Sequence, residues 1–190
     1  GIMDTGGHIR EKEKRTFSVV DRIVEEVKSR TQAAGKVILF GHSAGGQFVH
    51  RWALLGGKKN VDVIAVANSG WFTMPDRDID YPYGIKNVGI TDEELAEAFA
   101  EPVILFMGEK DVERKPPFRD TPEADAQGMN RMERCTNYFR QCKAKAEELR
   151  VPFRWKLETI EGAAHQGVKM AEGAATYIFG KSSEDGNRRV

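Results

Sequence analysis

Lys36-Val-Ile-Leu-Phe-Gly41-His42-Ser43-Ala44-Gly45-Gly46 is the stretch on which the fold of this chain turns. Lys36 to Phe40 is an apolar run too brief for a helix and of the kind buried on both faces of a parallel sheet. After the glycine-rich turn, Phe48, Trp52 and Leu55 recur at helical spacing until Gly56-Gly57 ends the pattern. Strand, tight turn and helix with a serine at the apex form the context of a nucleophile elbow, Gly-x-Ser-x-Gly. The serine backbone is strained in so sharp a turn. Glycines on either side let strand and helix pass without Cβ clashes while Oγ projects outward. The helix aims its first amides at the same place, so the Ala44 amide is a candidate oxyanion donor.

Working upstream, Thr16 to Thr31 sets Phe17, Val20, Val24 and Val27 on one helical stripe with Val19 and Ile23 beside it, and Gly35 follows as a stop. Downstream, Val61 to Asn68 and Pro102 to Met107 are apolar strand candidates. Between them lie a long loop and a helix opening at Thr91, with Glu94 as its capping-box partner, that runs to about Ala100. A longer helix is expected over roughly 126–149, with Met132, Cys135, Phe139, Cys142, Ala146 and Leu149 on one face. In Phe153 to Ile160, Phe153, Trp155 and Leu157 alternate with Arg154, Lys156 and Glu158, as in a half-exposed edge strand blunted by charge. A last helix is expected over about Val168 to Phe179, before a polar tail, 181–190, expected to be disordered. Strands alternating with helices imply an α/β fold: a mostly parallel sheet with helices on both faces, residues 1–180 forming one domain. Active sites of such sheets lie at the carboxyl ends of the strands, so the loops after Phe40, Asn68, Met107 and Ile160 are the places to search.

Composition narrows the function. The chain has 190 residues, 29 Lys plus Arg against 29 Asp plus Glu, and no block of like charge pointing to nucleic acid or an anionic membrane. No apolar run approaches the roughly 20 residues of a membrane helix, and the first ten residues do not form a signal peptide. The expected partner is a small molecule or another protein, and the expected compartment the cytoplasm, with secretion left open. Cys135 and Cys142 lie two helical turns, about 10 Å, apart along one face. They cannot pair with each other and are expected to be buried thiols. No His or Cys cluster suits a metal, and Asp76-x-Asp78-x-Asp80 lacks the glycine and closing glutamate of a calcium loop. Residues 41–46 lack the Gly-Lys-Ser or Gly-Lys-Thr ending of a phosphate loop, so no cofactor is expected.

The stretches GHSAGG, ANSGWFTMPD, YPYG, GEKD and EGAAHQG together resemble the α/β-hydrolase superfamily, and within it bacterial esterases related to polyhydroxyalkanoate depolymerases. The resemblance covers nearly the whole chain. It implies a serine, an acid and a histidine in that order, the acid after the strand two later than the nucleophile strand and the histidine after the last strand. Asp111, in Gly108-Glu-Lys-Asp111 just beyond a strand end, fits the acid, with Glu109 as the weaker alternative; a solvated turn aspartate is the plain reading of such a residue. His165 lies in a loop of small residues after the edge strand, as a general base needs. Of the other histidines, His8 is in an irregular stretch, His50 is on the helix that carries the serine, and His42 has its side chain directed away from that of Ser43.

The segment from Ser69 to Ile90 overhangs the catalytic face and is rich in apolar groups: Trp71, Phe72, Met74, Pro75, Tyr81, Pro82 and Tyr83. They line a pocket or pack the loop down, the stretch 70–91 acting as a short cap. Trp71, Phe72 and His42 are the candidate substrate contacts. The expected activity is hydrolysis of a small-molecule carboxylic ester by Ser43, His165 and Asp111 through an acyl-enzyme. A thioesterase, peptidase or acyltransferase with the same triad, and a non-catalytic interaction module, are the alternatives. Only 42 residues precede Ser43, and no HGGG-type motif precedes the elbow to supply a second oxyanion donor. The chain is therefore expected to be the C-terminal half to two-thirds of such a fold, lacking full esterase activity by itself. The 36–40 strand would then have an unpaired edge and an uncovered face, covered by upstream chain, a second copy or a partner.

Overall fold

A computed structural model of the chain describes residues 1–31, 35–56 and 60–184. Four strands form one parallel sheet in the order β1-β2-β3-β4: β1 (Ile38–His42), β2 (Val63–Ala67), β3 (Val103–Gly108) and β4 (Lys156–Ile160). Among the described residues six α-helices accompany them: α1 (Phe17–Thr31), α2 (Ala44–Leu55), α3 (Asp92–Ala100), α4 (Pro122–Asp125), α5 (Arg131–Leu149) and α6 (Gly167–Glu184). The alternation of strand and helix expected from the sequence is present. None of the described helices is long and apolar enough to cross a membrane.

The pleat divides the core in two. Ile64, Val66, Val103, Leu105 and Met107 face one layer with Trp52, Leu54, Leu95, Phe99, Tyr138 and Cys142 from α2, α3 and α5. Ala65, Ala67, Ile104 and Phe106 face the other, where Met170, Ala174 and Ile178 of α6 cover them. β3, buried at every position, is the centre of the molecule. The α3 capping box forms as expected: Thr91 Oγ1 accepts from Glu94 N–H, and Glu94 Oε2 accepts from Thr91 N–H at 2.8 Å. Cys135 and Cys142 are buried, free thiols, and burial raises the pKa of both.

Several boundaries differ from expectation, each for a physical reason. β1 begins at Ile38 and extends through Gly41 and His42, because these two pair in register with Val66 and Ala67 of β2. The long helix starts at Arg131 rather than near 126. Gly128 adopts φ +147 and Asn130 caps α5 by accepting from Glu133 N–H at 2.9 Å, so the chain turns before the helix begins. Phe153 and Trp155 precede the edge strand instead of forming part of it. They pack with Phe99, Phe139 and Tyr138, with Trp155 Nε1–H donating to Ala98 O at 2.9 Å. α6 extends to Glu184, past the expected end at Phe179, and the rest of the expected tail, 185–190, lies outside the described residues, as does Gly57.

β1 pairs with β2 alone, so among the described residues its outer edge has no strand neighbour. Ile38, Leu39 and Phe40 are accordingly half-buried rather than enclosed on both faces. The stripe on α1 is also only partly used. Phe17 and Val24 are buried against the core, whereas Ile23 and Val27 are 56% and 47% exposed, since no described layer lies over that side of the helix.

Candidate active site

The strands carry their pairing past their carboxyl ends, and this gathers the loops. Ser43 N–H donates to Ala67 O at 3.0 Å, Asn68 N–H to Phe106 O at 3.1 Å, and Glu109 N–H to Ile160 O at 3.1 Å. The segments after all four strands thus meet at one edge of the sheet.

Ser43 sits at the apex between β1 and α2 with φ 55 and ψ −116, a left-handed backbone rarely taken by a residue with a side chain. Its Oγ makes no capping bond to α2, because it points instead to His165 Nε2, 3.0 Å away. Two glycines make the turn possible, one of them not at the expected place. A Cβ on Gly41 would lie 2.5 Å from Gly45 O, and one on Gly46 would lie 2.7 Å from Ser69 Oγ and 2.8 Å from Ala67 O. A Cβ on Gly45 would meet nothing within 4 Å, so the second steric requirement belongs to Gly46. Ala44 opens α2, and the first amides of a helix have no acceptor within it.

His165 Nδ1 lies 2.7 Å from Asp111 Oδ2. A proton on Nδ1 donated to the carboxylate leaves the Nε2 lone pair facing the serine hydroxyl. Asp111 is 3% exposed and His165 26%. The loop holding the imidazole is braced from beneath: Asn68, itself at φ 45, donates through Nδ2 to Ala164 O at 3.0 Å and accepts at Oδ1 from Gly108 N–H at 2.8 Å. Lys110 N–H donates to Ala163 O at 2.8 Å. Glu109, the alternative acid, is turned the other way and accepts from Gly162 N–H at 2.7 Å. Asp111 has a second partner: Arg131 Nη1 donates to its Oδ1 at 3.1 Å. A cavity of about 380 Å3 opens beside the pair, lined by Lys110, Glu113, Lys115, Arg131, Asp111 and His165 among others.

The three expected substrate contacts take different places. Phe72 is fully enclosed, stacked on Tyr138 with ring centroids 4.5 Å apart, and its backbone is held in both directions by the Gln127 amide at 2.8 and 2.7 Å. Enclosure removes it from the substrate contacts. Trp71 is 8% exposed, packed against Tyr83 and under the Arg51 guanidinium, 4.3 Å from its ring. Of the two outcomes open for the loop, its aromatic groups thus pack it down. His42 lies with its ring 4.7 Å from that of His165, and burial, then the charge of His165, lowers its pKa. This position favours packing on His165 over substrate contact. His50 is a core histidine: Nδ1 bonds Gly46 O and Nε2 accepts from Thr73 N–H, both at 3.0 Å, and burial lowers its pKa.

Asn68 and Arg131 were not singled out from the sequence. Asn68 had a signal, as the residue closing an apolar strand at the carboxyl edge. Arg131 had none, since an arginine in the first turn of a helix is otherwise a solvated group.

No protein-family model and no curated protein matches this chain. Solved structures do. Poly(aspartic acid) hydrolase-1 from Sphingomonas sp. KT-1 superposes with a TM-score of 0.86 at 32% identity, over 94% of this chain and 68% of that one. LpqC, a poly(3-hydroxybutyrate) depolymerase from Bordetella parapertussis, gives a TM-score of 0.85 at 30% identity, over 94% of this chain and 61% of that one. The chain therefore spans about two thirds of the length of these neighbours.

Proposed function

The chain belongs to the α/β-hydrolase superfamily, and from that premise we propose that it is a serine hydrolase that cleaves carboxylic esters through an acyl-enzyme intermediate. The observation that carries this reading is the continuous path from Ser43 Oγ to His165 Nε2 at 3.0 Å and from His165 Nδ1 to Asp111 Oδ2 at 2.7 Å. In the first step Ser43 Oγ attacks the substrate carbonyl carbon while its proton passes to His165 Nε2. Asp111 stabilises the imidazolium that forms, and the Ala44 amide donates to the developing oxyanion. Collapse breaks the bond to the leaving group, which takes the proton from His165. Water activated by the same imidazole then releases the acid and frees Ser43. Residues 1–180 act in this reading as one domain, with 70–91 as a packed cap and Trp71 as the remaining aromatic candidate beside the substrate. The names of the two neighbours, one a hydrolase of poly(aspartic acid) and the other of poly(3-hydroxybutyrate), suggest acyl compounds with repeating units as the first to try.

The test is covalent. A fluorophosphonate probe is expected to label the folded chain on Ser43, and Ser43→Ala is expected to abolish both labelling and turnover of ester, thioester and amide substrates, since loss of the nucleophile costs on the order of 10^6-fold. A cooperatively folded parent that takes no label, or labelling that survives Ser43→Ala, would remove this reading.

A further inference from the structure

Asp111 accepts two hydrogen bonds on two different oxygens. Oδ2 takes His165 Nδ1 at 2.7 Å, and Oδ1 takes Arg131 Nη1 at 3.1 Å. Arg131 is 5% exposed and Asp111 3%, so this ion pair is shielded from solvent. The guanidinium is itself fixed: Nη2 donates to Pro117 O at 3.0 Å, its centre lies 5.0 Å from the Phe118 ring, and it leaves the first turn of α5, where the Asn130 cap sets the start of the helix. A buried ion pair is a poor device for stability alone, because desolvation offsets much of the attraction. What this pair supplies is direction and sign. A carboxylate bonded to one partner can turn about its last torsion, whereas one with each oxygen taken by a different donor has a single orientation.

We propose that Arg131 is a positioning residue for the triad acid, orienting Asp111 toward His165 and setting a shielded positive charge beside the Asp111–His165 pair. The inference rests on the serine-hydrolase reading. Its electrostatic half depends on what else faces His165. From β1 comes His42, whose pKa burial, and then the charge of His165, lower. From the loop after β3 come Asp111 and, along the cavity wall, Lys110, Glu113 and Lys115. Lys115 is paired with Glu113 at 3.0 Å, and all three of these side chains lie in exposed positions where water and salt screen them. Arg131 is thus the shielded cation nearest the Asp111–His165 pair. A positive charge there opposes a second one on the imidazole, so its removal makes protonation of the base easier.

The experiment follows the rate of fluorophosphonate labelling of Ser43 against pH in the parent, Arg131→Met, Arg131→Gln and Arg131→Lys. In Arg131→Met the plateau rate is expected to fall by about tenfold or more, and the acid limb to move to higher pH by about half a unit or more. Arg131→Lys, which keeps the charge but not the fork, is expected to restore the limb and only part of the rate. A folded Arg131→Met with the parent's limb overturns the proposal, whether or not its rate is lower, since a purely structural residue would change the rate alone. Should Arg131→Met not fold, Arg131→Gln decides, with a raised limb supporting the proposal and an unmoved limb overturning it. A folded parent that is not labelled at all removes the serine-hydrolase reading, and this proposal with it. A labelled parent with unmoved limbs in the variants removes this proposal alone.

Discussion

At the scale of the residue, two carboxylates two positions apart stand in different settings because their partners differ. Asp111 is enclosed and bonded to His165 and Arg131, while Glu109 turns outward to the Gly162 amide. On the proposed mechanism Asp111→Asn is expected to lower kcat by about 10^4-fold, because the amide no longer holds the imidazole in the tautomer that accepts the serine proton. Glu109→Gln loses one exposed bond and is expected to keep activity within about tenfold of the parent. Steady-state kinetics on one ester decides between them; a near-normal Asp111→Asn would mean that another group orients His165. Asp111 was legible in the sequence as a candidate acid, from its place past a strand end and the resemblance to the superfamily. Its arginine was not, because Arg131 lies 20 residues along the chain on another element and reaches Asp111 only through the fold.

Among elements, the junction of β1 and α2 holds the strain. Ser43 is in a left-handed conformation, and strand and helix run so close that a Cβ on Gly41 would lie within 2.7 Å of Gly45 O, Gly45 C and Val49 Cγ2. Backbone atoms cannot move aside as a flexible side chain can. Gly41→Ala is therefore expected to cost about 1–3 kcal/mol in urea unfolding and to lose fluorophosphonate labelling of Ser43. Gly45 meets no such neighbour and lies within α2, so Gly45→Ala is expected to leave stability unchanged or raise it by up to about 1 kcal/mol. Equal losses in both variants would show that the spacing motif, rather than the close approach, sets the requirement. The pattern Gly-x-Ser-x-Gly identifies the elbow but not which glycines the packing needs, since Gly41 is crowded by Gly45 and Val49, and Gly46, outside the pattern, by Ala67 and Ser69 of the next strand and its loop.

For the whole molecule, a second buried arginine, one turn along α5 from Arg131, ties several segments together. Arg134, fully enclosed, donates from Nη1 to Gly70 O at 2.6 Å, from Nε to Gly128 O at 2.8 Å and from Nη2 to Asp125 Oδ1 at 2.8 Å. Its guanidinium also lies 4.3 Å from the Phe118 ring. One side chain thus joins the segment beside Trp71, the turn before α5 and the loop that follows the acid. Arg134→Met is expected to destabilise the chain by about 3 kcal/mol or more, because it strips donors from enclosed carbonyls. Thermal or urea unfolding reads this directly, and a loss under about 1 kcal/mol would mean that water replaces the lost donors. The outer edge of β1 and the exposed Ile23 and Val27 of α1 are among the places where the described residues leave apolar surface uncovered.

Sequence alone determined what short-range geometry determines. A short apolar run, a glycine turn and a helical period within 20 residues specify strand, elbow and helix, because each element depends on neighbours a few positions away. The order of serine, acid and histidine came instead from the resemblance to the superfamily, applied to residues that stand a few positions past the strand ends. Tertiary structure decided the rest. Phe72 lies in the core and not beside a substrate because Tyr138 and Gln127, on and before a helix far along the chain, close over it. His42 meets His165 because β1 and the last loop end at one edge of the sheet. Asp111 meets Arg131, and Asn68 holds the carbonyl of Ala164, 96 residues away in the histidine loop. Contacts between residues so far apart leave no local pattern, because they exist only once the sheet has brought its loops together.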